Sequence, residues 1–598
     1  MKKYLFLAVA LLGLASCTKD DIANGNNPIH NGEIEESYIA INLAASDVTR
    51  AEGDAYQDGT EAERAVKYAY FFFFDGEGNP FPVNVNTGAI DKPGLTNGVN
   101  YLPAVINPTV GSETPNISDI KNAVLLLKTY RGEYPSQVVA VINWIPPTKD
   151  EENKGYSIEE LSGIMSKIRG EDNSFVMSNA VYADSEGGNV KIGVPITSTD
   201  IFKDETAAIN DPITIHVERI AAKISVSTEA GSTLFNLNKK FDGIGIEGNA
   251  IDVYAKILGW ELYNDFSKSY LLKNIDPSWT VNDLGFNWND PSFYRSYWAS
   301  SIPYSSIDAD KNGYKMTYDA AGVEANGFFD EYGFTVSNYT DVLAGNYLDK
   351  AYTYIGENTN YVPGATQNLC TKIILKAQLV KKVDESTYTP VEIARWYATE
   401  YAGKDNLLTA VANTIKYKYY YKDQESGTPI TIGPKDLTTV KGDSANAPEG
   451  VKAYQVYFQL SNPTDSTIYG EKKVWYKKDN EGNLVELAND VVNAELAALE
   501  PALLYENGET FYYVDVKHLP VGDATQKQGE YGIVRNHIYN VKISSIGGYG
   551  SPIYIGDSYI KDPEYPIDPT DEGSFVSAEV RVLSWRLVSQ EVDIQPNN

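Results

Sequence analysis

The residues able to do chemistry in this chain are few and scattered. Its four histidines, His30, His216, His518 and His537, never pair at metal-ligand spacing, and no His-Glu-x-x-His string occurs. Gly442-Asp443-Ser444 and Gly556-Asp557-Ser558 lack the following glycines of a serine-hydrolase motif and read as turns. Carboxylates are too abundant for a glycosidase pair to be singled out. One loop has metal-like spacing: Asp308, Asp310 and Asn312 fall at alternate positions, Gly313 follows, and Asp319 closes the loop where calcium sites carry their last ligand. Against calcium, Asp319 replaces the usual bidentate Glu, Lys315 takes an aliphatic position, and Ser301 to Ile307 has no helical pattern. An Asx-rich turn is the favoured alternative. No catalytic residue is assigned, and the chain reads as a non-enzyme.

Two other sites imply covalent processing. Met1-Lys2-Lys3 and the apolar run Tyr4 to Leu14 lead to Leu14-Ala15-Ser16-Cys17, the pattern of a bacterial lipoprotein signal in which the Cys thiol is acylated. The apolar run is too short for a mature membrane helix. Asp20 to Ile34 then reads as a flexible tether. Arg50, followed by Ala51 in a polar stretch, is a site for a trypsin-like protease. Just upstream, Ser37 to Ala44 alternates so that Ile39, Ile41 and Leu43 share one face of a strand. Cutting there would let a folded strand leave a sheet, exposing unpaired backbone groups beside an apolar groove.

The only other cysteine is Cys370, so once Cys17 is lipidated no internal disulfide remains and packing must hold the fold. A formal net charge of −31 argues against nucleic acid or anionic lipid as partners. With 44 tyrosines and 12% aromatic residues, the composition is β-rich. Strands are expected over Val66 to Phe74, Val124 to Leu127, Gln137 to Asn143, an unusually long Ile213 to Val226, Ile251 to Glu261, Lys372 to Lys381, Thr414 to Lys422, Lys452 to Leu460 and Phe511 to Val516. Helices are expected over Ile158 to Ile168 and within Ala488 to Leu504. Near the end, Val576, Ala578, Val580 and Val582 alternate, Trp585 and Leu587 follow in the other phase, and Val592 and Ile594 close the run, with a bend expected near Leu583. The expected class is mainly β, in antiparallel sandwiches.

Several strings together resemble the fimbrillin family, the shaft subunits of type V pili in Bacteroidota, and especially the branch of minor-fimbrium major subunits. They are Val217 to Ile224 (Val-Glu-Arg-Ile-Ala-Ala-Lys-Ile), Gly259 to Leu262, Arg295 to Ala299, Glu357-Asn358-Thr359, and above all Arg535-Asn536-His537-Ile538-Tyr539 followed by Ser545 to Gly550. The resemblance implies two transthyretin-like β-sandwich domains with a few short helices and long loops. It divides the chain into a lipoprotein signal (1–17), a propeptide with tether and removable strand (18–50), an N-terminal sandwich (51–225), a C-terminal sandwich (226–570) and a donor segment (571–598). It further implies an outer-membrane precursor cut after Arg50 by an Arg-specific protease and polymerised head to tail by donor-strand exchange. Its partners would be copies of itself and fimbrial anchor and tip subunits, in adhesion and biofilm formation. In the resemblance, Val576 to Ile594 corresponds to the donor. The alternatives are a fimbrial tip adhesin and a surface glycan-binding lipoprotein, the latter because Trp279, Trp288, Tyr294 and Trp298 offer faces for sugar stacking.

Overall fold

The computed structural model describes residues 33–45, 56–85, 98–104, 123–149, 155–180, 182–183, 190–228, 231–241, 250–263, 265–274, 299–301, 334–335, 352–359, 371–423, 425–442, 444–452, 455–461, 473–518, 531–552 and 575–586. In chain order the elements used below are β1 (Ile34–Ala45), β2 (Tyr56–Asp58), α1 (Glu61–Arg64), β3 (Ala69–Phe74), β4 (Tyr101–Pro103), β5 (Ala123–Tyr130), β6 (Gln137–Ile142), α2 (Ile158–Gly163), β7 (Met177–Asn179), β8 (Ile213–Arg219) and β9 (Ala221–Thr228). They continue with β10 (Leu234–Phe241), β11 (Ile251–Tyr263), β12 (Thr353–Gly356), β13 (Lys372–Lys382), α3 (Gly403–Ile415), α4 (Asn489–Ala497), β14 (Glu509–Asp515), β15 (His537–Gly547), β16 (Ser551–Pro552) and β17 (Phe575–Arg586).

The N-terminal unit is built on an eight-stranded sheet in the order β4-β3-β6-β7-β8-β1-β5, with Val194–Pro195 pairing β6 off this path. β3 (Ala-Tyr-Phe-Phe-Phe-Phe) and β6 are buried almost throughout, because both of their faces are covered. β5 alternates buried and exposed residues, as a half-covered strand should. The C-terminal unit is a sandwich. A five-stranded sheet, β12-β9-β15-β17-β2, faces a six-stranded one, β10-β11-β13-β14-β16 with Tyr388–Pro390 off its path. Ala222, Ile224, Tyr539, Val541 and Ile543 from the first meet Val253, Ile257, Trp260, Leu375, Leu379 and Val514 from the second in one core. The class is therefore mainly β, as expected. A third core lies within the excursion between β13 and β14, where Leu407, Leu408, Val411, Ala412 and Ile415 of α3 pack with Trp396, Phe458, Trp475 and Leu496.

Several boundaries differ from the sequence expectations for physical reasons. The long run from Ile213 to Val226 breaks at Ile220 into β8 in the N-terminal sheet and β9 in the C-terminal one, so a single apolar stretch links the two units. The helix expected to Ile168 stops at Gly163, because Met165–Lys167 pairs with Lys268–Tyr270 instead. Thr414 and Ile415 end α3, and only Tyr420–Lys422 of the expected strand is extended. Helix α3 itself was hidden in sequence: it opens on Gly403, whose φ of +77° permits a sharp entry from the preceding strand. Within Ala488 to Leu504 the helix is α4, Asn489–Ala497, and Leu503 and Leu504 belong to a short strand, Leu503–Tyr505. Near Leu583 the pairing is regular. The irregularity in β15 instead falls between Ile543 and Ser545, opposite Ala578 and Ser577.

Candidate functional site

β1 occupies an interior place in its sheet. It runs antiparallel to β5, with Ile39 opposite Leu125 and Ile41 opposite Ala123, and parallel to β8, with Ile41 beside Ile213 and Leu43 beside Ile215. Ser37, Ile39, Ala40, Ile41 and Leu43 are all buried, the two isoleucines completely. Burial of Ala40 between the inward-facing positions shows that this part of the strand is covered on both faces. The three aliphatic side chains contribute roughly 1.5 to 3 kcal/mol each in apolar burial. Withdrawing β1 would split the sheet and leave β5 and β8 as facing unpaired edges beside an apolar floor.

The N-terminal end of β1 is held differently, by charge. Lys128 Nζ lies 2.9 Å from the Glu36 carboxylate, and Arg131 pairs with Glu33. Lys203 pairs with Glu35, which also accepts from the Gly132 N–H and the Tyr134 hydroxyl, both at 3.3 Å. The Lys203 hydrogen bond, with help from the Gly132 amide, holds the Glu35 carboxyl below its usual value. Backbone hydrogen bonds between Tyr38 and Phe202, 2.6 and 2.9 Å, fix the same end. The sequence reading missed these cations. The acidic residues Glu33, Glu35 and Glu36 ahead of the apolar alternation are the signal from which they could have been inferred.

A second constellation sits where the two units meet, and it gathers strings singled out in the sequence. Arg535 donates to the Glu357 carboxylate through Nε and Nη2, at 3.1 and 3.0 Å, and to the Tyr270 carbonyl at 2.8 Å. Glu218 and Lys273, both fully buried, lie 3.8 Å apart. Lys223 and Tyr354 donate to the carboxylate of Glu63 in α1, whose carbonyl accepts from Arg219 Nε at 3.0 Å. Burial alone would raise the Glu63 pKa, but the hydrogen bonds from Lys223, Tyr354 and Thr60 outweigh it and bring it down to about 2. His537 is buried with Nδ1 2.7 Å from the Arg535 carbonyl, and His518 Nδ1 meets the Tyr539 hydroxyl at 2.8 Å, so both sit in packed surroundings. These buried ion pairs and hydrogen bonds make this a structural joint.

The remaining sequence candidates divide by position. Val576, Ala578, Val580, Val582 and Trp585 lie on β17, which pairs with β15 over Phe575 to Ser584 and with β2 over Ser584 to Arg586. Cys17, Arg50, Ala51, Leu587, Val592 and Ile594, the loop residues Asp308, Asp310, Asn312 and Asp319, and Trp279, Trp288, Tyr294 and Trp298 fall outside the described residues. Among the described residues, no group of three His, Cys, Asp or Glu side chains is arranged to hold a metal.

Comparison with known proteins finds a likeness in the C-terminal part of the chain. No curated protein matches the chain. Among solved structures it is similar to a fimbrilin from Porphyromonas gingivalis W83, at 13% identity over 92% of this chain and 98% of that one, with a TM-score of 0.32. It is also similar to a tip fimbrial protein from Porphyromonas gingivalis, at 10% identity over 92% of this chain and 100% of that one, TM-score 0.26. Residues 503–591 match the family model described as major fimbrial subunit protein type IV, fimbrillin, C-terminal. That stretch holds β14 to β17 and the Arg535-Asn536-His537 string, so the resemblance to fimbrillins extends over the C-terminal part of the chain.

Proposed function

We propose that this chain is a fimbrial subunit whose polymerisation is gated by removal of β1. The family match supports the coarse reading, a subunit of a cell-surface fimbrium from a structural family. The observation that carries the finer one is the interior position of β1, with Ile39, Ile41 and Leu43 buried between two strands and the chain reaching Arg50 five residues beyond its end. In this account the precursor is exported as a lipoprotein acylated at Cys17 and held at the outer membrane. An Arg-specific protease then cuts between Arg50 and Ala51, and β1 departs.

Before the cut, β1 is tethered to its own sheet and outcompetes any incoming strand through its high effective concentration. After the cut, that advantage ends, and the C-terminal segment of a second copy takes the vacated slot. Repetition gives a head-to-tail polymer that joins anchor and tip subunits and serves adhesion and biofilm formation. No covalent step is needed after proteolysis. Arg50→Ala tests the scheme: after treatment with a trypsin-like protease, unboiled gels should show a ladder for the parent and a monomer for the variant. A ladder of normal yield from the uncut variant would overturn it.

A further inference from the structure

β1 and β17 are both strands of 12 residues, and they read alike. Aligned in the same direction, Tyr38-Ile39-Ala40-Ile41-Asn42-Leu43 corresponds to Phe575-Val576-Ser577-Ala578-Glu579-Val580, and in sequence the likeness extends upstream, with Ser574 at the place of Ser37 and Glu572 at that of Glu35. The slot itself makes this alignment selective. Its positions 39, 40, 41 and 43 are buried, so a charged side chain at any of them would be desolvated without a partner, and at position 40 the buried residue is an alanine, so that a much larger side chain would have to displace its neighbours. The alignment supplies Val576, Ser577, Ala578 and Val580 there and puts Glu579 at the half-buried polar position of Asn42. Every other register in this direction that keeps positions 39 to 43 within Phe575–Arg586 places Glu579, Arg581 or Arg586 at a buried position. Setting Leu583 at the place of Ile39 puts Trp585 in the Ile41 position and Arg581 at the buried Ser37.

We infer that residues 575–582 of a second copy, laid in the direction of β1 with Val576 at the place of Ile39, are the segment that fills the slot. This rests on the strand-replacement reading above and adds to it the segment, its polarity and its register. It also requires β17 to leave its own sheet. There, Phe575 to Leu583 is paired along one edge by β15, whereas β2 covers the other edge only over Ser584 to Arg586. In the slot the same residues would lie against β5 over the places of Tyr38 to Ile41 and against β8 over those of Ile41 to Ala45, so the ladder given up with β15 is replaced by one shared between two strands. The irregularity of β15 opposite Ser577 and Ala578 marks where its hold on β17 is already interrupted.

Cross-linking reads the register. Ile39 faces Leu125 across the ladder, a separation a disulfide can span. In full-length chains carrying Cys370→Ser, Leu125→Cys is paired in turn with Val576→Cys, Leu583→Cys or Val592→Cys, then processed by a trypsin-like protease and oxidised. Within one chain residues 125 and 576 belong to different sheets, so a bond between them reports on two copies. The expected result is a covalent ladder for Val576→Cys at least five-fold stronger than for the other two, and none without processing. A non-covalent ladder whose covalent form appears only with Leu583→Cys or Val592→Cys overturns the register while leaving strand replacement standing. Absence of any ladder from the processed parent chain overturns both. As a second variant, Ser577→Trp should abolish the unboiled ladder, because the indole would have to enter the buried place of Ala40, and normal ladders from a folded Ser577→Trp chain would also overturn the register.

Discussion

Glu63 accepts hydrogen bonds from Lys223, Tyr354 and Thr60 while its carbonyl holds Arg219, so one residue of a four-residue helix ties the segment after β2 to the joint between units. Its folded pKa of about 2 lies below the ordinary 4.5, so its stabilisation is full above pH 4.5 and is lost as pH falls from there toward 2. Glu63→Gln should therefore cost on the order of 2 kcal/mol at pH 7, with the gap to the parent closing between pH 4.5 and 2 in urea titrations. A gap independent of pH would assign the loss to packing. Breaking the buried Arg535–Glu357 pair is more severe: Glu357→Ala leaves a buried guanidinium without its carboxylate and should cost about 3 to 5 kcal/mol. By contrast, Lys203→Glu at the exposed end of β1 should change stability by less than about 1 kcal/mol.

At the scale of elements, Ile41→Asp would place a carboxylate between β5 and β8 at a completely buried position. The expected loss is about 3 kcal/mol or more in the precursor, measured as the shift in urea midpoint. An unchanged midpoint would mean that β1 does not carry the sheet. The alternation of Ile39, Ile41 and Leu43 made this strand legible in sequence, since period two needs no tertiary information. Its interior position was not legible, because the pairing with β8 depends on residues more than 170 positions away. The same limit hid the docking of β17 on β15, and it hid α3, whose apolar spacing runs directly out of a strand. The joint was half visible: the Val217 to Ile224, Glu357 and Arg535 strings were recognised as a family pattern, but their meeting with Glu63 and Lys273 is a property of the folded chain.

For the whole molecule, assembly must bring together strongly acidic subunits, with a formal charge of −31 on the chain as given. Screening of that repulsion predicts faster ladder growth as salt rises from about 0.05 to about 0.5 M, where the Debye length falls well below 10 Å. A rate that falls with salt would place attractive charge pairs at the rate-limiting contact. The central claim is that β1 is a replaceable strand, and amide hydrogen exchange of Ala123–Tyr130 and Ile213–Arg219 tests it most directly. These strands should be protected in the precursor, exposed in processed monomers from which the peptide carrying Ile34–Ala45 has departed, and protected again in polymers that lack that peptide. Polymers that retain the 34–45 peptide in the slot, or processed monomers with full protection of both strands, would contradict the account.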